Sequence, residues 1–477
     1  MTNALQTGII RLGEATEAIR VRLRKPQKVR ALELFLLILA WAVSGSAIAL
    51  VQLGALETID LTILYLAGGI ALLTLVVHIV LRVVAREADP FILPIATVLN
   101  GLGIAMIYRI DIAQGLEGWA ADGVRQVAWT GLAIVAAIVV LLVIRNHRIL
   151  TRYRYLSMFA ALALMLLPMV PGLGATINEA NVWIRLGAFS FQPGELAKIF
   201  LAIFFAGYLM TARESLSVAG KRFLGLRLPR MRDLGPIFLV WVACMLILVV
   251  QGDLGTGMLY FGLFTVMIYV ATGRREWILI GLALIVIAIG VLWVLAQTHL
   301  TELQGLGLGR AQQRIEIWLN PFDDELYQRQ FGGSYQVVQG LFGMANGGLF
   351  GTGFGLGRPN ITPQAKDDYI IASFGEELGL VGIFAILALF LILVTRGMRV
   401  GFRGPDDFTK LLGVGLAFTI ALQLFVVVGG VTRVIPMTGL TIPFMASGGS
   451  SLLANWIIVA LLLRLSDSIR STSEVTE

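Results

Sequence analysis

Charged side chains inside apolar runs are where this sequence could do chemistry. Glu195 and Lys198 sit in FQPGELAKIF, Asp253 opens an apolar run in QGDLGTG, and Glu376 and Glu377 lie in IIASFGEELGLVG. Arg433 follows VVVGGVT, near the end of another run. Each charge costs several kcal/mol at membrane depth unless it is paired or wetted. Glu195 and Lys198 are three positions apart, so they share a helix face and can pair. Glu376 and Glu377 are adjacent and point in different directions. They cannot easily share one partner, so a role facing a cavity, in contact with substrate or a cation, is expected of them, with a structural salt bridge for one of the two as the alternative. Burial of an ion pair is in itself weak evidence for stability, so packing specificity or chemistry must justify these groups.

The elements that would carry them are membrane helices. Of 477 residues, 57% are hydrophobic and only 14% are charged, against roughly 25% charged in soluble domains. A spanning helix needs about 20 apolar residues. Such runs fall near 31–53, 61–83, 90–110, 126–145, 153–171, 193–211, 232–251, 253–271, 276–297, 369–395, 411–433 and 443–465. The fold class expected is therefore an all-α polytopic bundle of about twelve transmembrane helices, with 181–200 open to an interfacial or re-entrant start. Lys and Arg sort to alternate connections: the first 30 residues, then Arg82/Arg86, 145–154, 221–232, 273–275 and 396–403. The positive-inside rule then puts both termini in the cytoplasm of a multi-pass protein of the cell membrane. The net charge of +7 is spent on orientation, and no nucleic-acid partner is expected.

Residues 1–30 lack an apolar core, so they read as a basic cytoplasmic arm on anionic headgroups and not as a signal peptide. The tail 467–477 is expected to fray into the cytoplasm. The longest connection, 298–368, falls outside; a loop of that length in a compact bundle is usually functional. Cys244 is the only cysteine, so no internal disulfide forms. His78, His147 and His299 are too widely spaced for a zinc-type site.

Five segments then identify a family. NVWIRLGAFSFQPGELAK (181–198), QGDLGT (251–256), SYQVVQGLFGMANGGLFGTGFGLG (334–357), PQAKDDYIIASFGEELGLVG (363–382) and RVIPMTGLTIPFMASGGSSLLAN (433–455) occur in one order. They resemble the signature stretches of the SEDS (FtsW/RodA/SpoVE) family. The family core would occupy 90–466, leaving 31–89 as two extra N-terminal transmembrane helices.

The resemblance implies a peptidoglycan glycosyltransferase that polymerises lipid II into β-1,4 glycan strands on the outer face of the cytoplasmic membrane. It implies inversion, release of undecaprenyl diphosphate, and work beside a class B penicillin-binding protein that crosslinks the strands. The family's essential acid maps to Asp368 as general base for the acceptor hydroxyl. Lys366 and Asp367 replace the family's usual His and Thr, so Asp367 competes for that role. Asn360 stands where some relatives carry an upstream acid. Thr438 stands where division-type members place Lys, which favours the elongation (RodA-like) branch. The matched segments add Trp183 and Gln192 to the substrate-contacting set. Arg185, Arg433 and Lys366 are candidates to neutralise the departing diphosphate. A divalent cation, Mg2+ or Mn2+, held by Asp253 or Asp368 is the alternative. The competing function is a lipid II flippase, which would keep its essential charges at the midplane. A scaffold that only recruits its transpeptidase is a third reading.

Overall fold

The computed structural model describes residues 27–476 except 178–179, 187–188, 218–221, 224–225, 228–230, 298–307 and 330–331. The basic arm before residue 27 and the GLGLG stretch up to 307 thus lie outside the described residues. The helices are α1 (Gln27–Leu56), α2 (Thr62–Val84), α3 (Ile92–Gln114), α4 (Asp122–Val143), α5 (Arg154–Leu166), α6 (Pro193–Ser217), α7 (Met231–Gln251) and α8 (Leu254–Thr272). They continue as α9 (Glu276–Gln297), α10 (Leu308–Leu319), α11 (Asp324–Gln328), α12 (Tyr335–Gly347), α13 (Ile370–Phe402), α14 (Asp407–Val431) and α15 (Gly449–Thr476).

Nine described helices are long and apolar enough to cross a membrane. Shorter apolar helices at Arg154–Met169, Gly235–Gln251 and Glu276–Ile287 fall on the three remaining expected spans. The chain is a polytopic helical membrane protein, as its apolar runs require. Helix α3 is the axis of the bundle: residues 92–111 are all buried, packed by α1, α4 and α13.

Three details depart from the sequence expectation. Residues before Pro193 form a small antiparallel sheet, β1 (Gly174–Ile177), β2 (Ala180–Leu186) and β3 (Phe189–Phe191), in the order β1-β2-β3. The last span begins at Gly449 and not near 443, because Pro436 and Pro443 and the positive φ of Gly439 and Phe444 keep 433–448 out of helix. The tail does not fray from 467. Asp467 accepts the Glu87 N–H at 2.8 Å, and Arg470 reaches the Asp89 carboxylate at 2.8 Å. Arg464 adds a bond to the Val84 carbonyl at 2.5 Å, so α15 is tied to the turn before α3.

Buried charges join helices far apart in sequence. Lys198 Nζ meets Glu195 at 2.6 Å, as their spacing suggests, and also the Gln423 carbonyl oxygen at 2.8 Å, linking α6 to α14. Arg109 on α3 meets Glu377 on α13 at 2.9 Å. Glu33 on α1 accepts from Arg30 and sits 2.6 Å from His78 Nδ1 on α2. Helix α13 breaks at Gly379 (φ 66°, ψ −169°), a conformation only glycine adopts readily. There the 349–351 turn presses so close that a Cβ would meet the Gly351 nitrogen at 2.3 Å.

Candidate active site

A cavity of about 820 Å³ opens at one end of the bundle. Its lining comes from helix ends: the first turns of α4, the residues before α6, α8, α13 and α15, and the end of α14. The opposite ends of α4, α6, α8, α13 and α14 lead into the Lys/Arg-rich connections. The β2–β3 hairpin and α10 add Val182, Trp183, Ser190 and Gln192 from the first and Arg310, Gln313, Arg314, Ile317 and Trp318 from the second, and the start of α12 and the 433–441 stretch complete the wall.

The acidic side of the cavity is the 363–369 turn. Gln364, at φ 55°, accepts the N–H groups of Asp367 at 3.0 Å and Tyr369 at 3.3 Å. The chain is thereby wound up before α13 begins, and Asp367 and Asp368 are presented to the cavity. Tyr369 is fully buried and fixes the turn from behind, its ring filling the space beside Gly340 of α12. Lys366 lies outside the lining, although its partner Asp122 is part of it. Its ammonium lies 2.5 Å from Asp111 and 2.9 Å from Asp122, and its carbonyl accepts the Ser447 N–H at 2.8 Å. One residue thus stitches α3, α4 and the 433–448 segment around the acids.

Burial pushes the Asp368 carboxyl up from 3.8 to about 6. Backbone N–H groups, the Arg314 charge and the Gln336 amide, which donates to Oδ1 at 3.3 Å, hold it from rising further. Burial and then the charges of Asp368 and Asp122 raise Asp367 to about 7, against the pull of Lys366. A carboxylate near 6 is ionised at neutral pH and still basic enough to take a proton in a transition state.

Facing the acids is the cationic face of α10. Positions 310, 313, 314, 317 and 318 follow helical spacing, so one face turns wholly to the cavity. Neither Arg310, Arg314 nor Gln336 was singled out in the sequence. The signal was present in LGRAQQRIEIWL, where Arg310, Gln313, Arg314 and Trp318 recur at i, i+3, i+4 and i+8.

The residues expected in the site divide. Asp368, Asp367, Trp183, Gln192, Asp253 and Arg433 all line the cavity. Asp253 caps α8, accepting the Thr256 N–H at 3.0 Å and its hydroxyl at 2.7 Å, and Gln192 reaches it at 3.4 Å. Arg433 turns its guanidinium onto the last carbonyls of α10, Trp318 and Leu319, both at 2.8 Å. Arg185 is exposed on β2 and outside the lining. Glu376 and Glu377 are not brought to the cavity either. Glu376 accepts the Arg358 N–H at 2.8 Å; Glu377 accepts the Gly355 N–H at 3.0 Å besides pairing with Arg109. Together they hold the glycine-rich 348–358 segment. Among the described residues, no three His, Cys, Asp or Glu side chains converge as a metal site.

A family model named FTSW_RODA_SPOVE, described as "Cell cycle protein", matches residues 89–471. The peptidoglycan glycosyltransferase RodA of Mycobacterium tuberculosis is 42% identical over 448 residues, covering 92% of this chain and 91% of its own. A solved structure described as "Structural coordination of polymerization and crosslinking by a peptidoglycan synthase complex" contains a similar chain. It matches at TM-score 0.61 with 24% identity, over 80% of this chain and 98% of that one. The rod shape determining protein RodA of Thermus thermophilus matches at TM-score 0.52 with 22% identity, over 78% and 95%. By the family match over 89–471 and the 42% identity to a full-length relative, and with half-buried acids and arginines facing each other across a cavity at the helix ends, the chain belongs to the FtsW/RodA/SpoVE family.

Proposed function

We propose that the chain is a peptidoglycan glycosyltransferase that polymerises lipid II into β-1,4 glycan strands during cell elongation. The observation that carries this reading is the acid pair 367–368 facing an arginine-bearing wall across one cavity. The relatives named peptidoglycan glycosyltransferase support it. In the proposed reaction the 4-hydroxyl of the acceptor sugar attacks the anomeric carbon of the donor. Asp368 takes the hydroxyl proton as the new C–O bond forms. The bond to the diphosphate breaks, its electron pair leaves with undecaprenyl diphosphate, and the configuration inverts. The leaving group is already a stable anion, so it needs positive charge and no proton.

Orientation follows from charge. The cavity is at the end of the helices opposite the Lys/Arg-rich connections, so the positive-inside rule places it on the outer face with both termini in the cytoplasm. A lipid II flippase is disfavoured on the same ground, since its charges belong at the midplane. The partner is a class B penicillin-binding protein, supported by the synthase-complex likeness. A Mg2+ or Mn2+ ion would find Asp253 as a ligand only together with oxygens of the substrate diphosphate. The test is incubation of the purified chain and its transpeptidase with lipid II. Glycan ladders are expected from the wild type and from Asp367→Asn, and none from Asp368→Asn. Full activity of Asp368→Asn would remove the base from the proposal.

A further inference from the structure

Two glycines beside the cavity have no role in the reaction described so far, although both belong to segments that stood out in the sequence. Gly252 lies in QGDLGT and Gly439 in PMTGL; both have left-handed backbone, φ 69° and φ 73°. The left-handed conformation alone favours glycine there, yet each also has an arginine lying on it. A Cβ at Gly252 would meet the Arg310 guanidinium at 3.2 Å, and one at Gly439 would meet that of Arg314 at 3.2 Å. The backbone also grips the same side chains. Arg314 donates to the Thr438 carbonyl at 2.7 Å and Arg310 to the Gly252 carbonyl at 3.5 Å. Helix α10 brings both guanidinium groups, one turn apart, to the same cavity wall.

A guanidinium carries five N–H donors in a planar fork, matched to phosphate oxygens. At Arg314 the carbonyl bond to Thr438 takes one of those five donors. Arg433, one of the two other arginines of the lining with Arg125, has its guanidinium on the α10 carbonyls and so holds the helix in place. Arg314 also senses the charges of Asp253 and Asp368, which puts it on the side from which the reacting centre is reached.

We propose that Arg310 and Arg314, seated on Gly252 and Gly439, form the binding site for the diphosphate of the prenyl-linked donor. The assignment rests on the polymerase reading above and names the subsite of its leaving group. Two preset guanidinium groups one helical turn apart suit two linked phosphates better than one. Selectivity for a prenyl diphosphate over a prenyl monophosphate is therefore the property they confer.

The experiment measures binding of undecaprenyl diphosphate, undecaprenyl monophosphate and inorganic pyrophosphate to the purified full-length chain in detergent. The wild type should prefer the diphosphate lipid to the monophosphate lipid by tenfold or more. Arg310→Gln and Arg314→Gln should each cut that preference by roughly tenfold, the scale of one charge-assisted hydrogen bond lost. Gly439→Ala, which pushes on the Arg314 seat, should cut it in the same direction. Because the preference is a ratio within one variant, a reduced folded fraction does not alter it. An unchanged ratio in both glutamine variants overturns the site. Inorganic pyrophosphate binding as tightly as the lipid overturns its assignment to a lipid leaving group. A wild type that makes no glycan from lipid II counts against the polymerase reading alone, because the binding ratio is measured without turnover.

Discussion

Replacing Asp368 by Asn should abolish polymerisation and make the protein more stable at neutral pH. Asparagine keeps the shape and the partner role toward Gln336 but cannot accept the acceptor proton. A positioned general base contributes roughly 10²- to 10⁴-fold to rate, and a loss of that size is expected. The stability change follows from the raised pKa. Folding lifts Asp368 from 3.8 to about 6, chiefly through burial. The folded chain thus binds this proton more tightly than the unfolded chain. The ionised carboxylate costs stability above pH 6, and that cost fades as pH falls toward 3.8. A shift of this size corresponds to at most about 3 kcal/mol, because the cavity stays wet. Thermal melting of Asp368→Asn in detergent should therefore exceed wild type at pH 7.5 and converge with it near pH 4. Wild-type turnover should fall roughly tenfold from pH 7 to pH 5 as the base protonates. A glycan ladder from Asp368→Asn, or a flat rate between those pH values, would refute the assignment.

Other substitutions test the supports of the site. Lys366→Met leaves the Asp111 and Asp122 carboxylates without their ammonium partner and should cost about 3–5 kcal/mol; melting close to wild type would show the triad to be idle. Glu377→Ala strands Arg109 in the bundle at a similar cost. It should also expose the 348–358 segment to limited proteolysis, and an unaltered cleavage pattern would count against its holding role. If Asp253 holds a cation with the substrate, Asp253→Asn should raise the Mg2+ concentration for half-maximal polymerisation tenfold or more. The same Mg2+ response in both proteins would dismiss it.

The membrane helices were legible because apolar length is a local property: each expected span has a helix within a few residues. The position of Asp368 on the cavity was legible from its motif, and the Glu195/Lys198 pair from spacing. What one sequence does not contain is the identity of distant partners. Glu377 at membrane depth announces that something must pair with it, but Arg109 is 268 positions earlier, and no pattern in one sequence links them. Lys366 read as a substrate contact for the same reason, its true partners lying on α3 and α4. The arginines of α10 were overlooked because residues 298–368 drew notice for length and glycine content and not for helical period.

Helix α1 lies outside the segment the family model matches, yet it is bolted to that segment at both ends. At one end Arg30 reaches the Ala88 carbonyl, one residue before that segment begins, in the turn whose Asp89 receives Arg396 and Arg470. At the other, Gly54 lies so near Phe354 and Gly355 that a methyl group there would overlap the Phe354 carbonyl oxygen. A strut clamped top and bottom cannot swing as an independent paddle. Trimming the gene to the shared core would uncover the back of the glycine-rich segment that Glu377 grips, and grafting a fluorescent tag between residues 57 and 61 would load the same joint.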